Sequence, residues 1–380
     1  MYFRLSGFYL FYFAALGALL PYWGLYLKSL GFSAGEIGEL IAILMATKIV
    51  APNVWGWVAD HSGRRMAVVR VASLLAVICF CGVFLGRGYW WMAAVMILFS
   101  FFWNAALPQF EAVTLSQLGA QPHRYSSIRL WGSIGFILAV AALGPLLGRY
   151  DAGLLPYVLV ALYAAIWIST LLVPEQAAPP PVRHERMQLW AVLRRPEVAT
   201  LLLVCFLMQA SHGPYYSFYS IYLEDHGYPR WLIGQLWALG VVAEVGVFLL
   251  MHRWLPRFGA RRLLLVSLAL TTLRWLLIGG FVDSLPVLVF AQTLHAASFG
   301  IYHAVAITLI HKFFTGRHQG RGQALYSSLS FGAGGAAGSL YAGYLWEATG
   351  GGAAAAFAVA AAASAAAFLV ARRALAVSVG

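Results

Sequence analysis

Twelve apolar runs of roughly 20 residues recur along this chain, and no other feature constrains its fold as tightly. They lie near 5–27, 35–58, 67–86, 89–117, 125–148, 154–173, 198–222, 232–251, 262–282, 286–311, 322–346 and 353–371. Helices of that length cross about 30 Å of hydrocarbon. The runs are continuously apolar and not alternating, which selects helices over a barrel, because lipid leaves no other way to satisfy the backbone. Only 10% of the residues are charged, against about a quarter in soluble domains. The expected fold is an all-α membrane protein with twelve transmembrane helices. The first run has no small-residue cleavage site and is followed by more spans, so it reads as the first helix and not as a removed signal.

A formal net charge of +12 raises the question of a nucleic-acid partner, and its distribution answers it. With the N-terminus cytoplasmic, twelve crossings return the C-terminus to the same side. Of the 25 Lys and Arg, 18 then face the cytoplasm, four face outward (Lys28, Arg87, Arg149, Arg230) and three lie within the membrane (Lys48, Arg129, Arg274). This is a positive-inside bias: it fixes orientation and calls for no nucleic acid. Cys79, Cys81 and Cys205 all lie in apolar runs, without metal-ligand or disulfide spacing. No G-x-S-x-G, H-E-x-x-H or nucleotide-binding motif is present, so no catalytic residue, metal or cofactor is expected.

The stretch "LMATKIVAPN", Leu44 to Asn53, places Lys48 roughly 18 Å along the helix from the charged loop that begins at Asp60. That is too deep for a lysine stem to reach the interface. An internal repeat supplies a setting. Residues 26–48 align without gaps to 222–244 at an offset of 196, with Tyr26/Tyr222, Gly31/Gly227, Gly38/Gly234 and Leu40/Leu236 among the identities. The same offset pairs Gly63 with Gly259, and an offset of 197 pairs Arg124, Ser133 and Gly135 with Arg321, Ser330 and Gly332. The repeat carries Lys48 onto Glu244, a charge of opposite sign at the same depth. The chain therefore reads as two pseudo-symmetric six-helix bundles, 1–173 and 198–380. The proline-rich cytoplasmic linker 174–197 joins them, with a short amphipathic helix at Met187–Arg194. Parallel repeats of this kind line a central cavity in secondary transporters, where equivalent helices face one another.

"GWVADHSGRR", Gly56 to Arg65, resembles the loop between helices two and three of the major facilitator superfamily. That resemblance implies a gating role for Asp60, Gly63, Arg64 and Arg65. The second copy of the loop keeps Gly259 and its arginines but has Pro256 where the acid would stand. "WNAALPQFEAVTLSQLG" and "SSIRLWGSIG" look like helices four and five of the lactose-permease branch, with Glu111 and Arg129 in the positions of that branch's carboxylate and arginine. On adjacent helices these two can neutralise one another and reopen for a polar solute. Arg274 and His295 fall on the branch's helix-nine arginine and helix-ten histidine; Ser298 replaces its helix-ten glutamate, and Glu244 is shifted by about one turn. "RGQALYSSLSFGAGGAAGSLYAGYLWEATG" resembles helix eleven of the phenylpropionate-permease group within that branch.

These resemblances imply a bacterial inner-membrane carrier that works as a monomer in the lipid bilayer, taking a small-molecule substrate and a proton. The expected function is proton-coupled uptake of a small organic anion, an aromatic carboxylic acid such as a phenylpropionate, by alternating access. A sugar or nucleoside symporter and a drug or metabolite exporter are the alternatives. Lys48, Glu111, Arg129, Arg274, Trp103, Trp131, Tyr215 and Tyr302 are the expected substrate-binding residues. Glu244, Glu111, His295 and His303 are expected to couple the proton. The competing role for the Glu111–Arg129 pair is a permanent salt bridge that fixes helix packing.

Overall fold

A computed structural model describes residues 1–119, 121, 124–175, 192–315, 319–348 and 352–375. Among the described residues there is no strand, and twelve helices follow one another. They are α1 (Tyr2–Ser29), α2 (Ala34–Ser62), α3 (Arg65–Phe84), α4 (Tyr89–Leu118), α5 (Tyr125–Tyr150), α6 (Ala152–Leu171), α7 (Pro196–Asp225), α8 (Arg230–Phe258), α9 (Ala260–Gly280), α10 (Leu285–Phe313), α11 and α12 (Gly352–Ala374). Helix α11 is assembled from Gln319–Ser327, a π-helical turn at Ser328–Gly334, and Gly335–Ala348. It opens on the polar turn "QGRGQ"; the other eleven are long and apolar enough to cross a membrane.

The chain groups into two compact units, Met1–Arg183 with Pro229–Ala238, and His184–Tyr228 with Leu239–Gly380. The bundle division drawn from the repeat differs in keeping all of α8 in the second half. Residues 176–191, which hold most of the linker and the start of the expected Met187–Arg194 helix, lie outside the described residues.

In unit 1, α1 packs along α5 and α6, while α4 is flanked by α2 and α3. The α1–α5 crossing is close because glycine makes it so: a Cβ on Gly135 would stand 2.1 Å from the Leu10 carbonyl oxygen. Helix α2 starts on a capping box, in which Glu36 N–H donates to Ser33 Oγ (3.3 Å) and Ser33 N–H donates to Glu36 Oε2 (2.9 Å). It ends at Gly63, whose φ of 65° closes the helix in a left-handed conformation that glycine adopts freely.

Unit 2 repeats the pattern, with α7 along α11 and α12, and α9 along α10 and α12. At the α7–α11 crossing a Cβ on Gly213 would lie 2.1 Å from the Gly338 carbonyl. Three helices of this unit depart from α geometry in mid-span. Helix α7 breaks at His212, between Pro196–Ser211 and Gly213–Asp225. Pro214 has no N–H for the Ala210 carbonyl, and Tyr341 O–H donates to that carbonyl instead, at 3.0 Å. Helices α10 and α11 each contain a π-helical turn, Ala296–Ile301 and Ser328–Gly334. Broken and π-bulged spans concentrate at functional sites, because they free backbone groups and re-aim side chains.

Candidate functional site

Arg274 on α9 is fully buried, and a buried guanidinium demands partners. It has them. Nε donates to the Ala291 carbonyl (3.1 Å), Nη2 to Gln292 Oε1 (2.9 Å), and Nη1 to Ser298 Oγ (2.8 Å) and His295 Nδ1 (3.1 Å). Its carbon lies 4.2 Å from the Tyr215 ring centre and 4.7 Å from that of Trp275. Tyr215 O–H in turn donates to Gln292 Oε1 at 3.2 Å.

This arrangement assigns the histidine tautomer. Arginine has only donors, so His295 Nδ1 accepts and the ring proton sits on Nε2. Nε2 lies 3.3 Å from Glu244 Oε2. A continuous chain Arg274–His295–Glu244 therefore links α9, α10 and α8 within unit 2. Ser298, which stands where the lactose-permease branch has a glutamate, is one of the groups that hold Arg274. Gly300 lies next to the acid, since a Cβ there would stand 3.4 Å from Glu244 Cγ.

The other two residues expected in this unit, Tyr302 and His303, make contacts of their own further along α10. Tyr302 is fully buried, and its hydroxyl sits 3.4 Å from the Cys205 carbonyl and 3.2 Å from Ser330 Oγ, tying α10 to α7 and α11. His303 Nδ1 lies 3.0 Å from the Tyr326 hydroxyl. The rings of His295, Phe299 and His303 stack along α10 at 5.7 and 5.5 Å.

In unit 1, Lys48 has no carboxylate within 4.0 Å among the described residues, and its ammonium meets Met45 Sδ at 3.4 Å. Pro52, four residues on, removes the helical donor to the Lys48 carbonyl. One residue before the lysine, Thr47 pins α2 to α4. Asn104 Nδ2 donates to Thr47 Oγ1 (2.9 Å), and Thr47 O–H donates to Ser100 Oγ (2.9 Å).

Glu111 and Arg129 lie near enough to interact electrostatically but are not in direct contact. Tyr125 O–H donates to Glu111 Oε1 at 3.2 Å, while the Arg129 guanidinium lies 3.8 Å from the Phe13 ring centre. Among the described residues no ion pair within 4.0 Å joins them. The aromatic face of α1 competes for the cation, which the pairing read from α4 and α5 alone did not include. Trp103 stacks on Tyr12 (5.2 Å) and Phe99 (5.5 Å), and its buried Nε1 makes no hydrogen bond among the described residues. Trp131 is placed elsewhere, with its Nε1 donating to the Tyr2 hydroxyl at 3.0 Å.

At the loop after α2, Asp60 pairs with Arg65, whose Nη1 also donates to Gln109 Oε1 at 2.9 Å. Arg64 is exposed. The N-terminus of α3 takes a different acid, one that the sequence reading missed. Glu175 accepts from Met66 N–H (3.0 Å) and Ala67 N–H (2.9 Å). The only local signal is a carboxylate just past the end of α6.

Comparisons with known proteins come to the same architecture. The MFS_1 like family model matches residues 2–359. The chain is 31% identical over 350 residues to a probable 3-phenylpropionic acid transporter of Escherichia coli (strain K12), covering 90% of each chain. It is 27% identical to a maltose permease of Geobacillus stearothermophilus, over 90% of this chain and 86% of that one. The crystal structure of the nucleoside transporter NupG superposes with a TM-score of 0.85 at 17% identity, covering 99% of both chains. The chain belongs to the MFS_1 like family, and it is a multi-pass membrane transporter of the major facilitator fold.

Proposed function

We propose that this transporter takes up a small aromatic carboxylate, of the phenylpropionate type, together with a proton. The observation that carries the reading is Lys48: a cation at mid-span whose hydrogen-bond contact among the described residues is a thioether. An ammonium held in a membrane without a carboxylate wants an anion, and a solute carboxylate supplies one. Arg129, spread over Phe13, is the second cation within a span of unit 1, and Tyr12 and Trp103 offer ring faces. The 31%-identical relative described as a probable 3-phenylpropionic acid transporter supports the solute class.

Unit 2 supplies the proton site in this reading. Glu244 accepts from His295, which is held in its tautomer by Arg274. A proton on Glu244 weakens that contact and frees the histidine, so protonation and side-chain rearrangement are linked. Arg274 is too fully engaged to clamp a solute directly, and its role is to orient His295 and Gln292. The division into bundles 1–173 and 198–380, moving in alternation, belongs to the same proposal, as do the gating roles of Asp60, Gly63, Arg64 and Arg65.

A neutral polyhydroxylated solute is the second reading, favoured by the maltose-permease relative and by the buried amide and imidazole groups of unit 2. Lys48→Ala separates the two. Uptake of labelled 3-phenylpropionate is expected to fall more than about tenfold, with partial recovery in Lys48→Arg. Unchanged uptake in the alanine variant removes the carboxylate anchor.

A further inference from the structure

Helix α7 carries a polar pair that the reading above leaves unused. His212 N–H donates to the Gln209 carbonyl at 3.1 Å, so these side chains rise one turn apart from one face, at the point where α7 breaks. His212 is fully buried, and Gln209 is 2% exposed. His212 Nδ1 lies 2.8 Å from the Met208 carbonyl. A carbonyl only accepts, so Nδ1 carries the ring proton and Nε2 presents a bare lone pair. Neither His212 Nε2 nor Gln209 Nε2 makes a hydrogen bond among the described residues.

The imidazole stands edge-on to Trp275 at 4.9 Å and stacks on Tyr216 at 5.5 Å. Gln209 Cβ lies against Gly334, in the π-helical turn of α11, where an added Cβ would come within 3.2 Å. Buried polar groups are satisfied in almost all proteins, so an unmatched donor and acceptor one helical turn apart call for a partner.

We propose that Gln209 and His212 form a solute subsite for an uncharged hydroxyl, which donates to His212 Nε2 and accepts from Gln209 Nε2. A carboxylate does not fit there, because it has no proton to give and sets its lone pairs against that of the imidazole. A hydroxyl has both senses in one atom. The subsite rests on the aromatic-acid reading and sharpens it, since the preferred solute then bears a ring hydroxyl as well as its carboxylate.

The test is isothermal titration of the purified full-length protein with 3-phenylpropionate and its 3- and 4-hydroxyphenyl counterparts. At least one hydroxylated acid is expected to bind about tenfold more tightly than the parent. That ratio is expected to collapse toward one in both His212→Phe and Gln209→Leu, each checked for a monodisperse elution profile. Equal affinities in the wild type overturn the subsite while the aromatic-acid reading stands, and so does a preference that survives both substitutions. If none of the three acids binds, the aromatic-acid reading fails and the subsite falls with it.

Discussion

Glu244 and Lys48 show what single residues contribute and how far a sequence can place them. Their depth and opposite charge follow from counting along an aligned repeat. Their contacts do not. Glu244 meets His295 because α8 and α10 bring them together, and Lys48 meets a methionine of its own helix. Removing the titratable acid is expected to separate coupling from binding. Glu244→Gln should abolish proton-driven accumulation yet retain exchange of labelled for unlabelled solute in counterflow. Accumulation undiminished in this variant would move the proton elsewhere. Arg274→Ala should act differently, because it strips partners from His295, Gln292, Ser298 and the Ala291 carbonyl at once. A loss of about 3 kcal/mol or more is expected, since a buried network loses its centre. It is read as a lowered thermal midpoint, and a midpoint like the wild type's contradicts the assignment.

At the scale of the helix, apolar run length made all twelve helices legible, eleven of them long and apolar enough to cross a membrane, while the interruptions within them were not. Pro214 marks the break in α7, yet nothing local announces the π-helical turns of α10 and α11. The turn of α10 packs on α9 and that of α11 on α7, where Gly334 meets the Phe206 carbonyl, and such tertiary contacts lie outside any single helix. The same limit explains Glu175. Its role as the cap of α3 depends on where α6 ends in space, 108 and 109 residues away from Ala67 and Met66 in sequence. Glu175→Gln keeps one of the two acceptor oxygens, turns the other into an amide donor facing a backbone N–H, and loses the charge at the helix N-terminus. It is expected to cost about 1–2 kcal/mol in thermal unfolding. The close crossings tolerate less: Gly338→Leu would drive a side chain into the Ala210 carbonyl, 2.5 Å from where its Cβ must sit. Loss of folded protein in the membrane fraction is the expected result, and normal expression would show that α7 and α11 cross more loosely.

For the molecule as a whole, the fold was the most legible property, because a bilayer admits so few solutions to an apolar chain of this kind. The repeat and the loop "GWVADHSGRR" then point to the superfamily, and the family match over residues 2–359 agrees. Solute recognition was the least legible. It depends on which buried polar atoms are left unmatched after packing, and the sequence shows residues without showing their partners. The arginine bias predicts that both termini face the cytoplasm. Reporters fused to either end should therefore be active only on that side, and an external signal from either would reverse the topology. The central claim, uptake of an aromatic acid driven by protons, is tested most directly in proteoliposomes loaded at neutral pH and diluted into acidic buffer. Labelled 3-phenylpropionate is expected to accumulate above its external concentration and to run out when a protonophore collapses the gradient. Equal accumulation with and without the gradient, or none in either case, would contradict it.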